Sequence, residues 1–579
     1  MPDAIARPCP QSRPRPLTDF SPMPQPLDLA PERFPTFDPS ALHTLGESPI
    51  LAAIDIGTNS IHMAVVRIDP TLPSFTIMAR EKATVRLGDR DPETGDLTPA
   101  AIARALRALK RCRSLADSLQ AGEIIAVATS AVREAPNGRD FLIQVKREVG
   151  IDVNLISGPE EARRIYLGVL SCMAFEGKPH AIIDIGGGST ELILGDGQAA
   201  RYLSSTKIGA VRLTAEFVHS DPITPEELAA LRAYARGSIE RAVEELHGQL
   251  APHESPEDLP LVGTSGTIEC LVTIHARETL GVVPNRLQGY SLTYEALGEL
   301  LDRLSQMPLA ERMELPGMND RRAEIVVAGA AILYETMGLL GISEVVACDR
   351  ALREGVVVDW MLARGLIEDR LRYQQSIRDR SVFALARKYQ VPLAAARHVA
   401  ALALTFFDQT QGLLHGWGTS ERELLWAAAI LHHCGHHLNQ SAHHKHAYYL
   451  IRHGELLGYT ETEIEAIANL ARYHRKSPPK KRHETYQALA GKRYRQMVEE
   501  LSPFLRLAAV LERRQAQAIR RIQCQYRREM GQFKLLLEPD NAADDCELEL
   551  WNLDCERPVF EEQFGVTLIV ELCPGGQGF

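Results

Sequence analysis

Apolar positions change their period several times along this chain, and each change marks a part. Residues 1–47 show no sustained period and are dense in proline (Pro8, Pro10, Pro14, Pro16, Pro22, Pro24, Pro26). Such a segment buries too little to order itself, which predicts a mobile tail. From residue 48 short apolar runs alternate with helical spacing. Strands are expected over 51–56, 61–68, 75–80 and 124–129, and helices over 99–119 and 138–149. That alternation predicts one α/β lobe over 48–180 and, resuming, a second over 181–364, with helices over 225–246 and 321–337. Thr224 is a natural N-cap for the first of these, with Pro225 at the first helical position. Over 365–528 apolar spacings of three and four dominate, as in 394–400 and 423–431, and predict an all-α domain. The strand-like runs 533–537, 546–551 and 565–572 then predict a small α/β or β-rich domain over 529–579.

Two segments nearly repeat one another 129 positions apart: Ala53-Ile54-Asp55-Ile56-Gly57-Thr58-Asn59-Ser60 and Ile183-Asp184-Ile185-Gly186-Gly187-Gly188-Ser189-Thr190-Glu191. In each, an apolar run delivers an aspartate into a Gly/Ser/Thr turn, and a second apolar run follows. This is a strand-turn-strand hairpin in which glycines admit an anion to backbone amides, hydroxyls add donors and the aspartate can hold a cation. Two lobes carrying one such hairpin each imply a cleft lined by the pair.

Composition adds limits. At 579 residues, with 45% apolar and 24% charged residues, the chain reads as a multidomain globular protein. No apolar run approaches the roughly 20 residues of a membrane span, and the N-terminus lacks a charged-then-apolar leader. Ten cysteines are scattered without a C-x-x-C pair, which reads as reduced thiols and, with the rest, a cytoplasmic location. P-loop, G-x-G-x-x-G and H-E-x-x-H patterns are absent. Asp89-Arg90-Asp91-Pro92-Glu93 imitates the start of a calcium loop, but Ala100 stands at its twelfth position.

Between and beyond the hairpins lie Ala128-Thr129-Ser130-Ala131-Val132-Arg133-Glu134-Ala135, Ile156-Ser157-Gly158-Pro159-Glu160-Glu161-Ala162-Arg163, Gly263-Thr264-Ser265-Gly266-Thr267 and Ala351-Leu352-Arg353-Glu354-Gly355. In this order the motifs resemble those of the exopolyphosphatase/guanosine pentaphosphate phosphohydrolase (Ppx/GppA) family, in its long form. That family is a branch of the superfold shared by actin, sugar kinases and heat-shock chaperone ATPases. The resemblance runs from about Leu51 to the last helices. It implies two actin-like (ribonuclease H-like) lobes, an HD-like helical domain and a small C-terminal domain. The activity it implies is hydrolysis of the terminal phosphate of inorganic polyphosphate, with guanosine pentaphosphate, the stringent-response nucleotide, or a non-catalytic phosphate sensor as alternatives.

Phosphoanhydride hydrolysis needs a positioned phosphoryl group, neutralised oxygens and an oriented water. Gly57, Thr58, Asn59 and Ser60 on one turn and Gly187, Gly188, Ser189 and Thr190 on the other would bind phosphate, with Ser265 and Gly266 as a third turn. Asp55 and Asp184 would hold Mg²⁺, and a role for K⁺ beside it is left open. The resemblance places the catalytic base at Glu161 and a metal or water ligand at Glu191, roles that can be exchanged. Arg133 is the cationic contact to the phosphoryl oxygens or a salt-bridge partner.

An HD metal site requires a histidine, then His-Asp, then a further aspartate. The chain offers His398 and then His432-His433, so the carboxylate is missing and packing, surface or phosphate-contacting roles are expected for these histidines. Charge supplies the substrate argument. Between Arg472 and Arg528 stand 16 Lys/Arg and 4 Asp/Glu, a balance of +12 in a chain of net charge −11. Arg475, Lys476, Lys480, Lys481 and Arg482 therefore form a candidate track for a long polyanion. Aromatic residues are sparse there, so no nucleic-acid partner is expected, and none at a membrane. The resemblance further implies a homodimer.

Overall fold

The computed structural model describes residues 48–573 apart from 176, 282–283, 285, 368–372 and 374–376. The proline-rich segment 1–47 lies outside the described residues. The chain forms two compact units. One runs to Val391 and includes Cys434–Ala468; the other comprises Pro392–His433 and the residues from Asn469 onward.

The first unit is built on two sheets of matching plan. Strands β1 (Ile50–Ile56), β2 (Ser60–Asp69), β3 (Ser74–Thr84), β4 (Glu123–Ala128) and β5 (Val153–Leu155) pair in the order β3-β2-β1-β4-β5. Strands β6 (His180–Ile185), β7 (Thr190–Gly195), β8 (Ala200–Thr206), β9 (Leu261–Thr264), β10 (Ser291–Thr293) and β11 (Glu344–Ala347) pair in the order β10-β11-β9-β6-β7-β8. β1 runs antiparallel to β2 and parallel to β4, as β6 runs antiparallel to β7 and parallel to β9. The repeated motif is thus a repeated topology, the two-lobed actin-like plan.

β1 is apolar from Ile50 to Ile54 because helices cover both of its faces. Ala52, Ile54 and Ile56 pack with residues of the helices Pro99–Ser118 and Gly138–Val149, whereas Leu51 and Ala53 pack with the helices Gly158–Leu170 and Leu352–Ala363. Those last two helices cross at glycines. A Cβ on Gly168 would lie 2.0 Å from the Ala351 carbonyl oxygen, and one on Gly355 1.7 Å from that of Arg164. Only hydrogen at both positions lets the backbones touch.

Most expected elements form. The helix expected over 225–246 spans Pro225–His247, and Thr224 and Glu227 close a reciprocal capping box. Three expectations change. The helix expected from 321 begins only at Val326, and residues 320–325 are turns that close on themselves, with Arg322 N–H donating to Asn319 and Ile325 N–H to Arg322.

The other two changes lie in the second unit. The alternating run 546–551 is not a strand but opens the helix Glu547–Phe564, whose buried Glu549, Asn552, Leu553 and Phe560 follow helical spacing. The arginine-rich end of the expected all-α stretch is strand β12 (Ile519–Arg527), with Ile519, Ile522 and Cys524 buried. It pairs with β13 (Gln532–Pro539), which runs parallel to β14 (Thr567–Leu572). A parallel pair needs a crossover, and the helix Glu547–Phe564 supplies it. Ahead of this sheet stand the helices Leu393–Thr410, Thr419–Leu431 and Gly491–Leu511.

Candidate active site

The two hairpin turns are constructed alike. Gly57 N–H donates to the Ser60 carbonyl (3.1 Å), and Gly186 N–H to that of Ser189 (2.9 Å). Each bond closes its turn and leaves amides without acceptors among the described residues: Thr58 and Asn59 in one, Gly187, Gly188 and Ser189 in the other. The turns meet across the lobes. A Cβ on Gly187 would lie 2.9 Å from Thr58 Cβ, and one on Gly188 2.5 Å from Ser130 Oγ and 2.9 Å from Thr58 Oγ1. Thr58 Oγ1 and Ser130 Oγ share a hydrogen bond of 3.1 Å. Beside this contact opens a cavity of about 310 Å³, lined by both turns with Arg90 and Arg212. Free amides on glycine-bearing turns beside a cavity suit an anion.

Two expected donors are committed elsewhere. Gly57 N–H is held inside its own turn, and the buried Thr190 hydroxyl donates to the Ile208 carbonyl (2.8 Å). Ser60 is buried at the start of β2, and the Asn59 carbonyl accepts from the amides of Val85 and Arg86.

Four carboxylates collect behind the turns. Asp55 and Asp184 end β1 and β6, and Glu191 stands directly opposite Asp184 in the β6–β7 register. Glu161 sits in the first turn of the helix Gly158–Leu170, capped by Ser157. Burial pushes Asp55 up to about 6 against the pull of Arg353. It pushes Asp184 up to about 7, with the charges of Glu161 and Asp55 adding. Glu191 rises to about 8 by burial and Asp184, although it accepts a 2.7 Å hydrogen bond from Ser205 Oγ. Glu161 is held well above the ordinary carboxylate range by burial and Glu191, with Arg133 opposing. Asp184, Glu161 and Glu191 each feel another of the four, and Asp55 acts on Asp184 and Glu161, so the four buried groups form one cluster. Hard oxygen donors that repel one another when empty fit a divalent cation such as Mg²⁺.

Arg133 Nη1 donates to Glu161 Oε2 (3.1 Å) and to the Ile156 carbonyl (2.8 Å). The salt bridge, one of its two expected roles, is formed. The third turn carries strain: Ser265 has φ +98°, a region that favours glycine, while its Oγ accepts from Thr267 N–H at the start of the helix Gly266–Leu280. It lines a cavity of about 620 Å³ together with His62, Lys82 and Arg353.

Sequence reading assigned no role to Arg353, whose charge acts on Asp55, or to Arg322, whose charge acts on Asp184. Arg322 lies so close to Gly266 that a Cβ there would be 2.2 Å from its Nη2. The motif Ala351–Gly355 flagged the first; only tertiary folding reveals the second.

In the second unit, His398 pairs with Glu512, and the His432 and His474 Nδ1 atoms bind the carbonyls of Ala429 and Ala471 at 2.6 Å. Much of the basic tract is neutralised: Arg493 by Glu421, Arg506 by Glu556, Arg514 by Asp544 and Glu549. Lys476, Lys480, Lys481 and Arg482 are exposed and form no ion pair among the described residues, while Arg475 is half-buried.

Paired actin-like lobes whose facing turns offer free amides over a carboxylate cluster define a class of phosphate-handling proteins. Residues 64–364 match the Ppx/GppA phosphatase family, and residues 377–557 match domain III of Ppx/GppA phosphatases. The chain belongs to the Ppx/GppA phosphatase family. It is 30% identical to the Aquifex aeolicus family member, over 55% of this chain and 99% of that one, with a TM-score of 0.46. It is 27% identical to an exopolyphosphatase from Cytophaga hutchinsonii, over 55% of this chain and 98% of that one, with a TM-score of 0.50. Among the described residues no helix is long and apolar enough to cross a membrane.

Proposed function

We propose that this chain is an exopolyphosphatase that hydrolyses the terminal phosphate of inorganic polyphosphate with Mg²⁺. The observation that carries the reading is the facing of two turns with free amides, set at strand ends whose aspartates belong to a cluster of four buried carboxylates.

The amides of Thr58, Asn59, Gly187, Gly188 and Ser189 receive the terminal phosphoryl oxygens and fix the phosphorus. Asp55 and Asp184 hold the divalent cation, which neutralises phosphoryl charge when bound. Glu161 accepts the proton of the attacking water, an oxygen–phosphorus bond forms, and the anhydride bond to the remaining chain breaks. Burial and the charge of Glu191 raise Glu161 above the ordinary carboxylate range, which makes it a stronger base toward the proton of the water. Arg133 positions Glu161 through the hydrogen bond from its Nη1. Glu191 stays beside Asp184 as a ligand to cation or water. The unpaired cations Lys476, Lys480, Lys481 and Arg482, with Arg475, favour a long polyanion over a nucleotide, which needs no such tract.

The test offers purified chain long polyphosphate and guanosine pentaphosphate side by side, with and without Mg²⁺. Faster Mg²⁺-dependent release from long polyphosphate is expected. Preference for the pentaphosphate would assign the nucleotide hydrolase instead, and release from neither would leave a phosphate sensor. Glu161→Gln should lower kcat by about 10²- to 10⁴-fold and leave polyphosphate binding nearly intact; unchanged turnover removes Glu161 from its role.

A further inference from the structure

A third, much smaller cavity of about 50 Å³ lies within the first unit, walled by the start of β3, by Ser171 just after the helix Gly158–Leu170, and by the helix Ile377–Lys388. Its lining joins cations and hydroxyls to apolar side chains (Phe75, Ile377, Leu385, Leu457) and one carboxylate, Glu455. Arg350 and Arg380 are 3% and 7% exposed, Lys388 stands in solvent at the edge, and Ser74 and Thr76 add hydroxyls.

Arg350 is the informative group. Its Nη1 donates to Ser171 Oγ (3.1 Å), whose own proton goes to the Gly168 carbonyl, and its guanidinium lies 4.6 Å over the Phe75 ring. No other hydrogen bond and no ion pair engages that guanidinium among the described residues. Burial disfavours its charge, but Cys172, Glu455, Asp349 and Glu354 act through space to hold it above the ordinary arginine value, and Glu455 is exposed. A buried guanidinium kept charged with a single side-chain hydrogen bond has donors left for an oxyanion in the adjoining cavity.

We propose that this cavity binds one tetrahedral oxyanion, orthophosphate, through Arg350 with Arg380 and Lys388. Size agrees. A single water occupies about 10–15 Å³ by this measure, so 50 Å³ accommodates roughly the four oxygens of one phosphate and no nucleoside. The planar fork of arginine matches phosphate oxygens, and the serine and threonine hydroxyls can complete their hydrogen bonding.

Place gives the site a consequence. Ser171 follows the helix that carries Glu161, and Arg350 precedes the helix Leu352–Ala363, which crosses it at Gly168 and Gly355. An anion on Arg350 therefore holds together the ends of the two crossing helices.

Hydrogen exchange of the full chain, with and without saturating orthophosphate at ionic strength matched by chloride, tests the proposal. Orthophosphate should slow exchange in residues 74–78 and 377–388, and Arg350→Met should abolish that slowing while leaving any change in residues 184–191 in place. Lys388→Gln alters only an exposed side chain and keeps the test open if the first variant does not fold. It should weaken the orthophosphate dependence of the slowing by about twofold to fivefold. Absence of slowing in both segments, slowing confined to 184–191, or full retention in the variants overturns the site. Hydrolysis has no part in this readout, so the oxyanion site and the polyphosphatase reading can fail separately.

Discussion

Replacing Asp184 by asparagine should kill the enzyme and, in the absence of divalent cation, stabilise it. Burial first, and the charges of Glu161 and Asp55 second, raise Asp184 from an ordinary 3.8 to about 7. For an acid the raised value means that the folded state favours the protonated form. The penalty is absent below about pH 4, grows as pH climbs between the unfolded and folded values, and is complete above about pH 7. Three units correspond to about 4 kcal/mol at 1.36 kcal/mol per unit. A cooperative unit of roughly 390 residues has an unfolding entropy near 0.8 kcal/mol/K, so the gain should appear as a Tm about 5 °C higher at pH 8 in EDTA. At pH 4 the difference should vanish. With Mg²⁺ at pH 8 the order should reverse, because ligand binding stabilises only the protein that binds it. Differential scanning calorimetry at the two pH values, with EDTA or Mg²⁺, measures all of this. A variant less stable than the parent at pH 8 in EDTA, or a difference independent of pH, would refute the account of a carboxylate cluster awaiting a cation.

Further outcomes follow from other parts of the fold. Gly355→Ala should lower stability by about 1–3 kcal/mol, because the new Cβ would lie 1.7 Å from the Arg164 carbonyl oxygen. It should also reduce turnover, since the crossing helix positions Glu161; an unchanged Tm and rate would show that the crossing tolerates a methyl group. The triple variant Lys480→Ala, Lys481→Ala, Arg482→Ala should weaken binding of long polyphosphate and reduce the slope of log affinity against log salt by about 2, at roughly 0.7 for each phosphate no longer neutralised. A slope that stays the same would remove the tract from substrate binding.

Much of this protein could be read from its residues in order. Hairpins, helix caps and amphipathic faces depend on neighbours within about four residues, so Asp55 before Gly57, Asp184 before Gly186, and the Thr224 cap were legible as written. Where local signals were ambiguous the reading failed. The alternation Glu547-Leu548-Glu549-Leu550-Trp551 satisfies a strand as well as a helix, and burial of Leu553 and Phe560 decided for helix. Arg520, Arg521 and Arg527 sit in a strand that buries Ile519, Ile522 and Cys524, although a bulge breaks its alternation.

Identity of the acidic residues was written in the motifs, but their meaning was not. Glu161 and Glu191 are 30 positions apart and Asp55 and Asp184 are 129 apart, and nothing local says that these charges share one low-dielectric space. Arg322 reaches Gly266 because residues 320–325 turn instead of extending the helix, and Gly168 and Gly355 matter because two helices distant in sequence touch there. Chain order fixes which groups exist and which short elements they join. Electrostatic repulsion, desolvation and backbone contact depend on distance through space, and packing of the two lobes alone sets that distance.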